Sequence, residues 1–471
     1  MSKKSRILDD LQAYAERLIE THKIPAISLA VWHNNKLHQA AAGILNLETG
    51  VEATTDSIFQ IGSISKSMTS SLVMQLVDEG KVDLDKPVKQ YVRDFAVADL
   101  DATESITVRQ LINHTSGISG DFFPDDSHET GNPIARLVDR CNLLPQIHPP
   151  GQCYSYSNAA FSIAGRLVEV MTGGTWFDAM EERIFQPLGM KYAICRPMDV
   201  LRHRAAIGHI PNPESSGPDS PGYWQQTKRL YPTFGQAPAG STATMTATDL
   251  ITYARAHLSG GISQSGKRWL SEDAVAQMQQ PQVELPSLSS VVTSHMGLGW
   301  GLHSLNADGR RIFGHGGETW GQMSMLRIVP DQEICIAILV NGENAELAYQ
   351  TVINALLKEL ADFDLSEPAP SFVTMPDEQL FNCIGDYKSF GEHFSITMEN
   401  NQLTAVFKDL VTKAPAINLR LKPLGSTLWG GFNEEDVLVA RLRFLDPDDS
   451  GHYRYVFNGR MLPRVEAMRD F

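Results

Sequence analysis

Gly62-Ser63-Ile64-Ser65-Lys66 opens an apolar-striped run that ends at Gly80, and the architecture is built around it. Leu72, Val73, Leu76 and Val77 recur at helical spacing, which predicts a helix from about Ser63 to Glu79 with Gly80 as its stop. Ser63 and Lys66, three apart at the helix start, then share one face a turn apart. A serine hydroxyl is a poor nucleophile until a neighbouring base takes its proton. Lysine serves as that base only when burial and nearby cations lower its pKa. A helix start adds backbone N–H groups and a positive dipole end, which stabilise a developing oxyanion. The competing reading is a solvated helix start, because chance alone yields Ser-x-x-Lys roughly once or twice in a chain this long.

Two more stretches carry chemistry in the same order along the chain. Tyr156-Ser157-Asn158 follows the break Pro149-Pro150-Gly151 and opens a helical pattern over 158–172. A tyrosine relays a proton to a leaving group, and an asparagine holds a substrate amide; alone, the tripeptide reads as a capped helix with a packing tyrosine. In Phe313-Gly314-His315-Gly316-Gly317 the glycines let a substrate backbone lie close to a strand. His315 there donates a hydrogen bond or assists proton transfer; alone, a histidine among glycines reads as structural.

Taken together, the three stretches resemble the Ser-x-x-Lys, Tyr-x-Asn and Lys-Thr-Gly motifs of penicillin-binding proteins and class C β-lactamases. Leu111-Ile-Asn-His-Thr-Ser-Gly117, Ile184-Phe-Gln-Pro-Leu-Gly-Met190 and Val82–Val88 are also similar to that family. The resemblance covers about residues 7–362. It implies an α/β (α+β) sandwich of an antiparallel sheet and helices, with a helical lobe and the site between them. It further implies that Ser63 is acylated, that Lys66 and Tyr156 shuttle protons, and that Asn158 positions the substrate. The backbone N–H groups of Ser63 and of Glu318, next to Gly317, would form the oxyanion hole. His315 stands where lysine is usual. Histidine is mostly neutral at pH 7, so it suits a β-lactam carboxylate poorly. Chains with His-x-Gly resemble esterases, D-amino-acid peptidases and peptide-cyclising thioesterases of the penicillin-binding type.

Around these motifs the pattern predicts a helix over 7–21, then a hairpin of Ala26–Trp32 and Leu37–Gly43 turning at Asn34-Asn35. Helices are expected near 107–113, 176–186 and 345–361, with Thr246-x-x-Asp249 capping another over 248–258. Strands are expected at Leu298–Leu302, Arg310–Gly314, Met323–Val329 and Ile334–Val340. The catalytic unit is read as 1–363. Residues 364–375 hold the proline-rich Ser366–Ser371 and read as a linker. Residues 376–471 show short alternating strands at His393–Met398, Leu403–Phe407, Val437–Phe444 and Tyr453–Phe457, a C-terminal antiparallel β-barrel that resembles the lipocalin-like domain of several such proteins. Arg441 and Arg443 alternate onto one face of that unit, with Val439. They are candidates to pair with a substrate carboxylate, against the plain reading of solvated charges. The barrel is expected to roof the Ser63 cleft.

Bulk properties narrow the classes. Hydrophobic residues make up 42% and charged residues 20%, a globular balance. The net charge of −15 disfavours nucleic acid and anionic membrane as partners. The five cysteines lack a C-x-x-C and the fourteen histidines lack metal spacing, so no cofactor or metal is expected. The first residues are interrupted by charges and do not read as a secretory signal, which points to the cytoplasm. Gly261–Lys267 mimics a P-loop but has Arg268 where Ser or Thr is needed, and His128-Glu129 lacks the second histidine of a zinc protease motif. The expected activity is a serine hydrolase or acyltransferase, acting through acyl-Ser63 on an ester, thioester or amide of a small peptide-like substrate. A narrower alternative is a thioesterase cyclising a non-ribosomal peptide. An alternative of another class is a β-lactam or peptide sensor that is acylated without turnover. No pattern bears on oligomeric state.

Overall fold

β1 (Ala26–His33) and β2 (Lys36–Asn46) form the expected hairpin. Asn34 and Asn35 at its tip both have positive φ, 51° and 56°, the backbone that a two-residue turn between twisted strands requires and that asparagine tolerates. This is a computed structural model, and it describes residues 5–124, 131–289, 293–303, 310–343, 346–365 and 369–465. Seven more strands complete the sheet: β3 (Val51–Glu52), β4 (Val283–Glu284), β5 (Thr293–Met296), β6 (Gly301–His303), β7 (Ile312–Thr319), β8 (Gln322–Val329) and β9 (Ile334–Val340). The order is β3-β2-β1-β9-β8-β7-β6-β5-β4. β9 is buried throughout because helices cover both faces.

The long helices are α1 (Leu11–His22), α2 (Ser65–Asp78), α3 (Asn158–Thr172), α4 (Ala247–Leu258) and α5 (Glu346–Ala361). Alternation in β9 divides the core. Ile336 and Ile338 pack with Leu18 of α1 and Leu356 of α5, while Ala337 and Leu339 face α2, α3, α4 and the helical lobe. α2 is buried from Ser65 to Leu76, as a helix enclosed on all sides must be. The expected cap is present: Thr246 Oγ1 accepts from the Asp249 amide, and the Asp249 side chain reaches back to Thr246.

The helix expected over 7–21 is split into Arg6–Asp9 and Leu11–His22, and the strand expected over Arg310–Gly314 runs Ile312–Thr319. Three further departures have a local physical cause. Ser63 lies in a 3₁₀ turn, Gly62–Ile64, and α2 starts only at Ser65. The strand expected over Leu298–Leu302 begins at Gly301. Gly299 has φ 76° and donates its N–H to Ile112 O at 2.8 Å, which takes the chain out of the ladder. The helix expected over 176–186 widens to a π turn at Glu181–Phe185. Pro187 follows, and its ring would collide with the Arg183 carbonyl in an α-turn. That carbonyl accepts instead from Trp269 Nε1 (2.6 Å) and Gln75 Nε2 (3.1 Å).

The C-terminal unit is an eight-stranded meander: β10 (Gly385–Lys388), β11 (Glu392–Glu399), β12 (Gln402–Asp409), β13 (Ile417–Pro423), β14 (Leu428–Phe432), β15 (Leu438–Pro447), β16 (Tyr453–Phe457) and β17 (Met461–Pro463). Neighbours pair in chain order, and a Tyr387–Arg464 bridge nearly closes the barrel. Phe394, Trp429, Leu442 and Phe444 fill its interior. Ser366–Pro368 of the proposed linker lie outside the described residues. The barrel rests on the N-terminal unit through a shared apolar cluster of Ile147, Tyr154 and Met296 with Tyr455, Phe457 and Met461. Among the described residues, no helix is long and apolar enough to cross a membrane.

Candidate active site

β7 and the turn before α2 meet backbone against backbone at their glycines. A Cβ on Gly317 would stand 1.9 Å from Ile61 O, one on Gly62 2.4 Å from Glu318 N, and one on Gly240 2.4 Å from Gly62 O. Glycine at these places therefore lets three backbone segments touch. Gly62 and Gly240 also hold positive φ, 51° and 133°. The close approach sets the Ser63 turn against β7 at Gly317 and Glu318. β6 pairs with β7 only from Ile312 to Gly314, so His315–Thr319 run on past β6 into the cleft.

Ser63 is half-buried, with fully buried Lys66 behind it. Lys66 Nζ stands 3.0 Å from Ser63 Oγ, 2.7 Å from Asn158 Oδ1 and 2.6 Å from Ala239 O. A neutral amine has two N–H donors and one lone pair. Two of its three neighbours are acceptors only, so the two N–H groups go to them and the lone pair is left facing the Ser63 hydroxyl. Burial, then the Arg460 guanidinium, hold Lys66 well below the usual lysine range, with Asp121 opposing. Both push toward the neutral form.

The Tyr156 hydroxyl bonds to Ser63. Burial pushes it up to about 12, with the Ser63 bond opposing, so it stays protonated at neutral pH. Its ring lies 4.7 Å from Lys66 Nζ and stacks on His114 at 4.3 Å. His114 itself has φ 62° and accepts from the Ser157 amide at Nδ1 (3.0 Å), which fixes the segment that carries Tyr156 and Asn158. His315 faces Tyr156 with ring centroids 6.3 Å apart. Burial and then Lys66 push it down to about 3, so it is uncharged. Its Nδ1–H donates to Gly316 O, which leaves Nε2 as an acceptor. This tautomer therefore accepts a hydrogen bond at Nε2 and does not donate one there.

Ser63, Lys66, Tyr156, Asn158, His315, Gly317 and Glu318 thus come together at one place. Arg441 and Arg443 do not join them. Leu442 and Phe444 face the barrel interior, so alternation sends both arginines outward. Arg443 donates to Ser287 O (2.6 Å) and Thr427 Oγ1 (3.1 Å). The barrel arginine at the centre is Arg460, in the turn between β16 and β17. It ion-pairs with Asp121, whose Oδ1 also accepts from Asn158 Nδ2 at 3.0 Å. Asp121, Ala239 and Arg460 escaped the sequence reading, since nothing local marks a residue whose role is to reach a distant segment. Among the described residues, no histidine, cysteine or carboxylate cluster could hold a metal. Gly261–Lys267 forms a small surface turn closed by the Ile262–Arg268 bridge. His128-Glu129 lies outside the described residues.

The family described as Beta-lactamase matches residues 11–357. Penicillin-binding protein 4 of Amycolatopsis lactamdurans is 37% identical over 346 residues, covering 74% of this chain and 88% of that protein. The crystal structure of SurE is similar with a TM-score of 0.77 and 26% identity over 97% of this chain and 99% of that one. SurE with D-Leu matches at a TM-score of 0.76 and 25% identity over the same shares. D-amino acid amidase from Ochrobactrum anthropi shares the fold, with a TM-score of 0.62 and 22% identity over 76% of this chain and 99% of that one.

Proposed function

The chain belongs to the Beta-lactamase family of serine hydrolases, and from that premise we propose that it transfers the acyl group of a small peptide-like ester, thioester or amide through an acyl-Ser63 intermediate. The observation that carries this is the placement of Lys66 Nζ 3.0 Å from Ser63 Oγ, with both its remaining partners acceptors. Lys66 takes the Ser63 proton as Oγ bonds to the acyl carbon. The N–H groups of Ser63 and Glu318 receive the oxyanion. The leaving group departs with a proton delivered from Lys66 through Tyr156, whose hydroxyl remains protonated. The acceptor, water or an amine, then attacks the ester carbonyl; its proton passes through Tyr156 to the now neutral Lys66, which returns it to Ser63 Oγ as the ester bond breaks.

The likeness to SurE with D-Leu supports a donor with a D-configured residue at the acyl carbon. A narrower reading is that an internal amine of the same peptide is the acceptor, giving a ring. The barrel turn at Asn458–Arg460 favours it, because the turn crowds the cleft next to Tyr156 and so limits access of water. A fluorophosphonate is expected to add one equivalent to the peptide holding Ser63, and none to Ser63→Ala. Matched D- and L-aminoacyl thioesters, with mass analysis of cyclic against hydrolysed product, then test stereochemistry and acceptor. Labelling that survives in Ser63→Ala refutes the acyl-Ser63 route, and equal rates on both enantiomers refute the D-donor.

A further inference from the structure

The proton route above leaves three charged groups at the domain junction unused: Asp121, Glu392 and Arg460. The turn Asn458-Gly459-Arg460 is stitched to the segment bearing the Tyr-x-Asn motif. Tyr156 N–H donates to Gly459 O at 3.3 Å, and Met461 N–H donates to Ser155 Oγ at 3.1 Å. Arg460 is thereby directed at the catalytic unit. Its Nη2 donates to Asp121 Oδ1 at 2.9 Å, and its Nε pairs with Asp121 Oδ2. Nη1 lies 4.0 Å from Glu392 Oε1, and the guanidinium sits 5.2 Å from the Tyr156 ring centroid. Asp121 is 6% exposed, so its charge has little other compensation.

The consequence runs through Asn158. Its carboxamide has a donor end and an acceptor end. Asp121 Oδ1 accepts from the Nδ2 end at 3.0 Å, and this turns Oδ1 toward Lys66 Nζ at 2.7 Å. A continuous chain of contacts therefore runs from Arg460 through Asp121, Asn158 and Lys66 to Ser63. We propose that Arg460, supplied by the barrel, is a positioning residue for acyl transfer at Ser63: it pins Asp121 so that Asn158 presents its carbonyl oxygen to Lys66, and it neutralises the carboxylate that would otherwise draw a proton onto Lys66. The proposal rests on the reading of Ser63 and Lys66 given above. Among the described residues, the charged and titratable groups around Lys66 are Asp121 and Arg460, with Glu392 beyond them, and His114, His315 and Tyr156. His114 is held well below the usual histidine range by burial and then Lys66, and His315 is likewise uncharged. Among the described residues, Arg460 is thus the cation that balances Asp121.

The test is the pH dependence of the fluorophosphonate labelling rate at Ser63, which needs no natural substrate. In Arg460→Gln the acidic limb should move upward by about one pH unit, making labelling on that limb roughly tenfold slower. Arg460→Lys should keep the limb close to its parent position. The double variant Asp121→Asn/Arg460→Gln, which removes both charges, should bring it back. A limb that stays put while the rate falls equally at every pH would show a merely structural role and overturn the proposal. A double variant shifted as far as the single one would overturn it too. Absence of Ser63 labelling in the unaltered protein is a different result, because it refutes the acyl-Ser63 reading itself.

Discussion

Replacing Gly317 by alanine tests whether the distance between β7 and the Ser63 turn sets the rate. The added Cβ would stand 1.9 Å from Ile61 O and 2.5 Å from Ser324 Oγ. Ser324 Oγ already bonds to Ile61 O at 2.7 Å, so the carbonyl has a neighbour on that side as well. A carbon essentially never comes within 3.0 Å of such an atom, so Ile61 and β7 must part by about 1 Å, the scale of misplacement that costs on the order of 10²-fold in rate. Ile61 adjoins Gly62-Ser63, and Glu318 adjoins Gly317, so the separation opens the oxyanion pair directly. Gly316→Ala is the control. Its Cβ points to the other face of β7 and meets the flexible Met325 Cε at 3.4 Å, an ordinary contact. With p-nitrophenyl ester hydrolysis and thermal melts on both variants, Gly317→Ala should lose about 10²-fold in kcat/KM, while Gly316→Ala stays within roughly threefold of the parent. Equal activities in two variants that both melt like the parent would refute the reasoning.

Lys66→Ala should lose about 10²-fold or more in acylation rate, read by burst kinetics on the same ester; a near-parental burst would mean another base operates. The parent should turn over nitrocefin poorly, since His315, pushed down to about 3, carries no charge for a β-lactam carboxylate; efficient hydrolysis, or no gain in His315→Lys, would contradict this. Burial pushes fully enclosed His257 down to about 3, so below pH 6.5 the unfolded chain binds a proton that the folded one does not. Stability should therefore decline as pH falls from about 6.5 toward 3, by about 1.4 kcal/mol per unit from this group, and denaturant titrations of His257→Gln should show a shallower slope than the parent. EDTA should leave ester hydrolysis unchanged, and a loss restored by zinc would reveal a metal requirement.

What the sequence disclosed is what local pattern encodes. Apolar runs of strand length at Ala26–Trp32 and Ile334–Val340 mark buried strands, and the spacing of Leu72, Val73 and Leu76 marks a buried helix. Ser63, Lys66, Tyr156, Asn158 and His315 were readable as a set only through the resemblance of their three stretches, in order and spacing, to the family's motifs; each stretch alone also fits a structural role. Less was legible where a residue acts at a distance. Asp121 lies in a loop with no periodicity, and Arg460 in a turn that looks like any other Asn-Gly; only the docking of the barrel joins them. Arg441 and Arg443 drew attention by alternation, yet alternation reports which face a side chain takes and not what that face meets. β14 carries Gly430 and Gly431, whose lack of side chains erased the strand signal in Leu428–Phe432.

The strand order has a consequence for how the protein is made. β1 lies between β2 and β9, so the sheet joins β1 to a strand encoded about 300 residues later. Until Ile334–Val340 has been synthesised, the β1–β2 hairpin lacks a neighbour on one edge, and its apolar residues have no finished sheet to enter. Such long-range pairing slows folding and prolongs exposure to aggregation. Arg460 is translated later still. A nascent chain that already displays Ser63 and Lys66 therefore lacks the barrel contact to Asp121 until Arg460 has been made.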